Sequence, residues 1–178
     1  MKDQAVQSGD GQALQRLWAP WRMEYIRLPR QEGCFLCNAF AADDDRAHLV
    51  VYRGELCAVI LNRYPYNNGH LMIAPYRHVP DLAAMTREER VEAMELLHRS
   101  IQILGELMSP DGFNAGLNLG SCAGAGLVGH IHLHVVPRWN GDTNFMPVIA
   151  GTKVIPQSLD ELWTRLHPLF SPGPAPDQ

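Results

Sequence analysis

The stretch VGHIHLHVVPRW, residues 128–139, decides the fold because histidines alternate in it with aliphatic residues. The alternating positions are His130, Ile131, His132, Leu133, His134 and Val135. Successive side chains of a strand point to opposite faces of a sheet, so the run predicts a strand with three imidazoles on one face. Packing alone does not favour three imidazoles in register. We therefore expect them to hold either a metal ion or a reacting phosphate.

The composition predicts one globular domain. The chain has 178 residues, and 46% of them are hydrophobic, which is enough for a substantial core. The net charge of −4 and the lack of a basic stripe argue against nucleic acid or an anionic membrane as a partner. No apolar run approaches the ~20 residues of a membrane span, and the start lacks the apolar region of a secretory signal. We therefore expect a cytoplasmic location.

The pattern of strands and helices predicts an α+β fold. Strands are predicted at 48–53, 56–62, 70–75 and 113–120, and the histidine run supplies the fifth. The order of strands, a long helix and further strands favours an antiparallel sheet with a helix on one face. We predict an N-terminal arm over 1–33, a single domain over 34–170 and a flexible tail over 171–178. The two Trp of the arm suggest that it docks, on its own domain or on a second subunit.

Two capping boxes mark the predicted helices. Thr86 and Glu89 open a long helix over 87–108, and Ser158 and Glu161 open a short one ending near residue 167. Apolar residues of the long helix recur every three or four positions and predict one buried stripe. The stripe consists of Val91, Met94, Leu97, Ile101, Leu104 and Met108.

Three interpretations of the histidine strand follow from the residues. A metal site of three histidines is awkward, because the outer two stand far apart on a flat strand and no carboxylate follows before Asp142. A structural role is unusual for three histidines in register. Nucleophilic catalysis at phosphorus needs a neutral imidazole whose second nitrogen is held by a hydrogen bond. The glycine-rich segment before the strand offers backbone N–H groups to phosphate oxygens.

Two separated motifs resemble the histidine triad family. HIHLHVVPRW is similar to the family signature, and LNRYPYNNGHLMIAPYRH, residues 61–78, is similar to its second hallmark. With GLNLGSCAGAG and the N-terminal LWAPWRMEYI, the chain looks closest to the branch of bacterial diadenosine tetraphosphate phosphorylases, which is related to the fragile histidine triad hydrolases. The resemblance implies a fold of about five antiparallel strands with one long helix and a short C-terminal helix.

The resemblance also implies roles for individual residues. His132 would attack the α-phosphorus of a nucleotide, His134 would bond the phosphoryl oxygens and aid the leaving group, and His70 would complete the histidine cluster. Residues implied in nucleotide binding are Asn62, Asn118, Ile60, Met72, Gly126 and Trp139. Trp139 could stack on a base or only pack, and Arg138 could stabilise negative charge or form a surface salt bridge.

The glycine-rich segment departs from the family. Where many members have Gly-Gln-Ser or Gly-Gln-Thr before the first histidine, this chain has Ala125, Gly126 and Leu127. Only backbone N–H groups remain there to bind phosphate. This favours a site with room for a second acceptor such as inorganic phosphate.

The sequence predicts different roles for the four cysteines. Without a secretory signal a disulfide framework is not expected, so Cys34 and Cys37 form either half of a zinc site or a redox pair. The family resemblance implies a structural zinc ion completed by His78 and His130, with no organic cofactor. Cys57 lies in an apolar run and is predicted to be buried. The role of Cys122 stays open.

The resemblance implies an enzyme that cleaves dinucleoside polyphosphates, or related nucleotides such as phosphoramidates, through a nucleotidyl-histidine, with water or phosphate as acceptor. The competing hypothesis is a nucleotide-binding or sensing module with negligible turnover. A homodimer is expected from the family likeness and from the aromatic arm.

Overall fold

In the computed structural model, the structure describes residues 33–142 and 155–170. The predicted arm and tail, apart from Gly33, lie outside these ranges. The helices are α1 (Phe35–Ala41), α2 (Asp45–His48), α3 (Arg87–Met108) and α4 (Leu159–Phe170). The strands are β1 (Val50–Arg53), β2 (Cys57–Leu61), β3 (Leu71–Pro75), β4 (Gly112–Leu117) and β5 (Leu133–Arg138). No helix of the described part is long and apolar enough to cross a membrane.

The five strands form one antiparallel sheet in the order β1-β2-β3-β5-β4. Strands β2 and β3 are buried along their whole length, and α3 packs on one face of the sheet. The thiol of Cys57 lies 3.5 Å from the Glu89 carbonyl of α3, which shows the face on which this helix packs. The predicted α+β class, with five antiparallel strands and a long helix, is confirmed.

Helix α3 begins and ends where the sequence predicts. Thr86 Oγ1 accepts from the Glu89 N–H, and Glu89 Oε2 accepts from the Thr86 N–H, so both halves of the capping box are formed. The predicted stripe is wrong at its start, because Val91 and Met94 are 52% and 56% exposed. Small residues carry that part of the interface instead and let the helix approach the sheet closely. The buried apolar and small positions are Ala93, Leu96, Ser100 and Leu104.

Several predicted boundaries need correction. The first strand begins at Val50 and not at residue 48, since Asp45–His48 form helix α2. Asp44 caps this helix by accepting from the Ala47 N–H at 2.9 Å. The histidine strand begins only at Leu133, so His130 and His132 precede it in the connecting loop.

Helix α4 packs on the strand at one edge of the sheet. Its three fully buried apolar residues are spaced four apart: Leu162, Leu166 and Phe170. The Trp163 indole N–H donates to the Val50 carbonyl at 2.7 Å, and His167 Nδ1 donates to the Val51 carbonyl at 2.9 Å. The helix continues to Phe170, past the predicted end at 167, because these contacts hold its last turn against β1.

Candidate active site and metal-binding group

Two cysteines and two histidines form a compact group at the start of α1. Cys34 is the residue before this helix and Cys37 lies in its first turn. Cys34 Sγ is 3.2 Å from His130 Nδ1, and Cys37 Sγ is 3.4 Å from His78 Nδ1 and 3.5 Å from His130 Nδ1. All four ligand atoms lie within 4.8 Å of one another, so the group can bind a metal ion.

The backbone around the group holds the imidazoles in place. His130 is fully buried, and its Nε2–H donates to the Pro75 carbonyl at 2.8 Å, which leaves Nδ1 unprotonated toward the sulfurs. A Cβ at position 129 would come within 3.0 Å of His78 Nε2, so Gly129 permits the approach of that ring. Burial lowers the pKa of His130, which favours the neutral form that a ligand needs.

His132 lies in a different environment two residues further on. Its side chain is 8% exposed, and its Nδ1–H donates to the backbone carbonyl of His130 at 2.9 Å. A carbonyl only accepts, so Nδ1 carries the hydrogen and Nε2 carries the lone pair. Nε2 receives no hydrogen bond from the described residues. Burial lowers the pKa of His132 and keeps the ring neutral, which is the state of a nucleophile.

A second set of imidazoles lies against His132. The rings of His132 and His134 are 4.8 Å apart between centroids and nearly perpendicular. His70 Nε2 is 2.9 Å from His134 Nδ1, and the amide of Asn118 is 3.3 Å from His134 Nε2. We call His70, His132 and His134 the histidine cluster.

The strand register extends this site across the sheet. Met72 pairs directly with His134, and Ile60 pairs with Met72, so the three side chains share the face opposite α3. Ile60 and Met72 are each 3% exposed. Asn62 follows β2 beside His70, since its N–H donates to the His70 carbonyl at 2.9 Å. The structure thus places Ile60 and Met72 on the side of the sheet where the histidine cluster lies. The Asn62 backbone lies beside His70, and its Oδ1 accepts from the Tyr64 N–H at 2.9 Å.

Two candidates are not brought to the cluster. Gly126 is exposed in the loop before β5 and takes no part in the hydrogen bonds that join the histidines. Trp139 follows the far end of β5, roughly 17 Å along the strand from His134. Beside it, Arg138 forms an ion pair with Asp142 and bonds Asn114 at 2.6 Å, so it acts as a structural salt bridge.

Sequence reasoning missed two features of the site. The Tyr66 N–H donates to His70 Nδ1 at 3.0 Å, and the Tyr66 ring stacks on His70 with 4.8 Å between centroids. The Asn67 amide bonds both the Pro137 carbonyl and Asp142, which ties the turn before His70 to the end of β5. The turn-rich sequence YPYNNG before His70 is the one signal that could have indicated them.

Comparison with known families gives this geometry a context. The HIT domain profile matches residues 45–141, more than half of the chain. The chain belongs to the HIT family. An AP-4-A phosphorylase of Mycobacterium tuberculosis is 45% identical over 159 residues, which cover 85% of this chain and 82% of that protein. The asymmetrical bis(5'-nucleosyl)-tetraphosphatase of Schizosaccharomyces pombe is 32% identical over 52% of this chain and 50% of its own length.

Solved structures agree with the HIT assignment. A zinc-bound histidine triad family protein from Mycobacterium smegmatis superposes with a TM-score of 0.62 at 28% identity, over 78% of this chain and 94% of that one. A hypothetical histidine triad nucleotide-binding protein from Sulfolobus tokodaii matches the fold with a TM-score of 0.61 at 23% identity, over 77% of this chain and 91% of that one. The five-stranded sheet and its helices are therefore the HIT fold.

Proposed function

We propose that this HIT protein cleaves dinucleoside polyphosphates through a nucleotidyl-histidine formed on His132. The relative at 45% identity is named as a phosphorylase of such a molecule, and a Dictyostelium discoideum relative at 29% identity is named bis(5'-adenosyl)-triphosphatase. The observation that carries the proposal is the hydrogen bond from His132 Nδ1 to the His130 carbonyl. It leaves a neutral imidazole with its Nε2 lone pair directed away from the backbone.

The first step forms a bond between His132 Nε2 and the α-phosphorus. The bridging P–O bond breaks, and its electron pair leaves with the nucleoside polyphosphate. In the second step an acceptor oxygen attacks the phosphorus, the N–P bond breaks, and the lone pair returns to Nε2. Splitting the displacement in this way is the advantage of covalent catalysis.

The neighbouring side chains have assigned tasks in these steps. His134 and Asn118, 3.3 Å apart, bind phosphoryl oxygens beside the attacking ring, and His70 supports His134. Asn62 binds the ribose, while Ile60 and Met72 form the apolar surface against the base. Gly126 and Trp139 stay predictions without a step of their own.

We propose phosphate as the acceptor. The name of the Mycobacterium tuberculosis relative supports phosphorolysis, and the glycine-rich loop carries no glutamine that would fill the space beside the phosphorus. Phosphate attack would yield two nucleoside polyphosphates, and neither product needs a proton from the enzyme.

We propose that the metal group holds a structural zinc ion. A tetrahedral zinc ion with two thiolates and two imidazoles places its ligand atoms roughly 3.3–3.8 Å apart, and the shortest contacts here are 3.2, 3.4 and 3.5 Å. Four protein ligands leave no open position for substrate. Zinc would join α1 to the loops that carry His78 and His130.

A homodimer and a cytoplasmic location complete the proposal. The residues at the middle of β4 are exposed at one edge of the sheet, so this strand offers its backbone to a second copy. Sedimentation at micromolar concentration tests the dimer, and a monomeric mass would contradict it.

The test of function is incubation of the zinc-loaded chain with diadenosine tetraphosphate, with and without inorganic phosphate. ATP and ADP formed only when phosphate is present establish a phosphorylase. AMP formed without phosphate identifies a hydrolase and refutes the proposed acceptor. If neither condition gives product, the chain is a nucleotide-binding module. Rescue of His132→Gly by free imidazole would place the covalent step on this residue.

A further inference from the structure

The hydrogen bonds of the histidine cluster end at a backbone N–H, which can only donate. The Tyr66 N–H donates to His70 Nδ1 at 3.0 Å, and a peptide N–H is a donor only. His70 Nδ1 must therefore be an unprotonated acceptor. An imidazolium at position 70 would place two hydrogens between these nitrogens, so the ring, which is 1% exposed, is neutral and carries its hydrogen on Nε2.

The state of His70 determines that of His134. His70 Nε2 is 2.9 Å from His134 Nδ1, and one of these two nitrogens must donate to the other. Since His70 Nε2 carries the hydrogen, His134 Nδ1 accepts. His134 is then also neutral, and its hydrogen lies on Nε2.

Donation in the opposite direction, from Asn118 through His134 to His70, conflicts with the backbone N–H of Tyr66. If Asn118 donated to His134 Nε2, His134 Nδ1 would donate to His70 Nε2, and His70 would carry its hydrogen on Nδ1. That hydrogen would meet the Tyr66 N–H across 3.0 Å. Only one direction of donation agrees with the Tyr66 N–H. It requires the Asn118 amide, whose Nδ2 lies 3.3 Å from His134 Nε2, to be turned so that its oxygen faces His134.

We propose that the Tyr66 backbone amide, acting through His70 as a positioning residue, fixes His134 as an Nε2–H donor aimed into the site. The amide of Asn118 then turns its oxygen to His134 and leaves its nitrogen to donate to a phosphoryl oxygen. Amide orientation is inferred from such networks, so this assignment follows from the anchored end of the chain.

One backbone carbonyl and one backbone N–H thus give the rings of His132 and His134 opposite tautomers. The His130 carbonyl takes the Nδ1 hydrogen of His132 and leaves a lone pair on Nε2. The Tyr66 N–H, through His70, places a hydrogen on His134 Nε2. The rings are 4.8 Å apart, so nucleophile and donor lie side by side.

A chemical consequence rests on the proposed function. If His134 gave its Nε2 hydrogen to the leaving group and took one from His70, His70 would be left without any ring hydrogen beside a backbone amide. That anion is far too basic to form near neutral pH. His134 therefore keeps its proton and acts as a hydrogen-bond donor. The site suits leaving groups that depart as stable anions, as nucleoside polyphosphates do.

Long-range ¹H–¹⁵N NMR of the imidazoles tests the assignment on the zinc-loaded full chain at pH 7. Protonated and unprotonated ring nitrogens have well-separated ¹⁵N shifts, so each tautomer is read directly. We expect hydrogen on Nε2 for His70 and His134 and on Nδ1 for His132. Hydrogen on Nδ1 of His134, or an imidazolium there, would overturn the proposal.

A matched pair of variants separates positioning from packing. A glutamine at position 70 can place an amide N–H near the former Nε2, whereas an asparagine reaches only the Nδ1 position. We expect His70→Gln to keep His134 in its Nε2–H form and His70→Asn to give mixed tautomers, with kcat roughly tenfold lower in the second. Equal spectra for the two variants would contradict the proposal. The NMR result needs no substrate, so a correct tautomer in an inactive protein would refute the proposed function alone.

Discussion

The metal group and the histidine cluster are built from neighbouring positions of one motif, yet they differ in what lies opposite the ring nitrogens. His130 directs Nδ1 at two sulfurs and bonds the Pro75 carbonyl through Nε2. His132 bonds a carbonyl through Nδ1, and its Nε2 receives no hydrogen bond from the described residues. Under the proposed function, the partner of the second nitrogen decides, more than the residue type, whether an imidazole binds metal or attacks phosphorus.

The two regions are also joined through one residue. The His130 ring belongs to the metal group, while its carbonyl orients His132. A change at the cysteines should therefore alter the orientation of His132, and a change at His132 should leave the metal-binding group intact. This asymmetry can be tested from both ends.

Removal of the nucleophile should give the largest effect. We expect His132→Ala to lower turnover of diadenosine tetraphosphate by at least about a thousandfold, because no other ring has its lone pair in that position. Zinc content should stay at one per chain. His98→Ala is the matched control, since His98 is exposed on α3, and it should keep normal rates. Near-normal turnover in His132→Ala would exclude the mechanism.

Loss of a metal ligand should damage both regions. We expect Cys34→Ser to lose zinc and to lower the free energy of unfolding by about 3 kcal/mol or more, roughly 6–12 °C in Tm. Turnover should fall as well, because the His130 carbonyl loses its fixed place. Metal analysis, thermal unfolding and activity measure the three effects. Full activity in a zinc-free protein would separate the two regions, and Cys122→Ser serves as the control.

Thiol titration should distinguish the cysteines without any substitution. Cys122 is exposed, whereas burial raises the pKa of Cys57 to about 12 and keeps this thiol unreactive. We expect one fast-reacting thiol per chain in the zinc-loaded protein and three after chelation. Three fast thiols before chelation would show that Cys34 and Cys37 hold no metal.

The smallest effect on stability is expected at the ion pair of Arg77 and Glu89, next in sequence to the metal-binding group. Glu89 is buried and bonds Arg77, the residue before His78, at 2.6 and 2.7 Å. Arg77 lowers the pKa of Glu89, so the stabilisation is complete above the ordinary carboxyl pKa and is lost as pH falls through the lowered value.

Glu89→Gln keeps one oxygen for the capping box, and it removes the charge together with one of the two acceptors that face Arg77. We expect it to cost about 1 kcal/mol at pH 7, and the difference from the natural chain should shrink in acid. Denaturant unfolding at several pH values measures this, with Glu88→Gln as the exposed control. A difference that grows in acid would contradict the assignment.

Local signals predicted much of the fold. Thr86 and Glu89 fixed the start of α3 because both halves of a capping box are readable from the sequence. Val91 and Met94 were misplaced, since Ala93 and Ser100 add little hydrophobicity to a pattern although they pack well. Helix α1 was missed because a seven-residue helix leaves too short a pattern to detect.

The site was less predictable than the fold. Alternation placed His130 in a strand, whereas the loop before Leu133 turns this ring to the cysteines. Residue types indicated the metal group through the family resemblance, but the Tyr66 N–H that bonds His70 is a backbone group that any residue except proline would supply. Such contacts depend on tertiary structure and leave no trace in composition.

The hydrogen bonds from α4 to β1 have a consequence for assembly. Side chains of Trp163 and His167 occupy carbonyls of one outermost strand, while β4 forms the other border of the sheet. A sheet with one edge strand covered can add further strands only at its other edge. If two copies paired through their β4 strands, the edge strands of the joint sheet would be the two copies of β1, each covered by its α4. Association by this route stops at a pair and cannot propagate into a fibre.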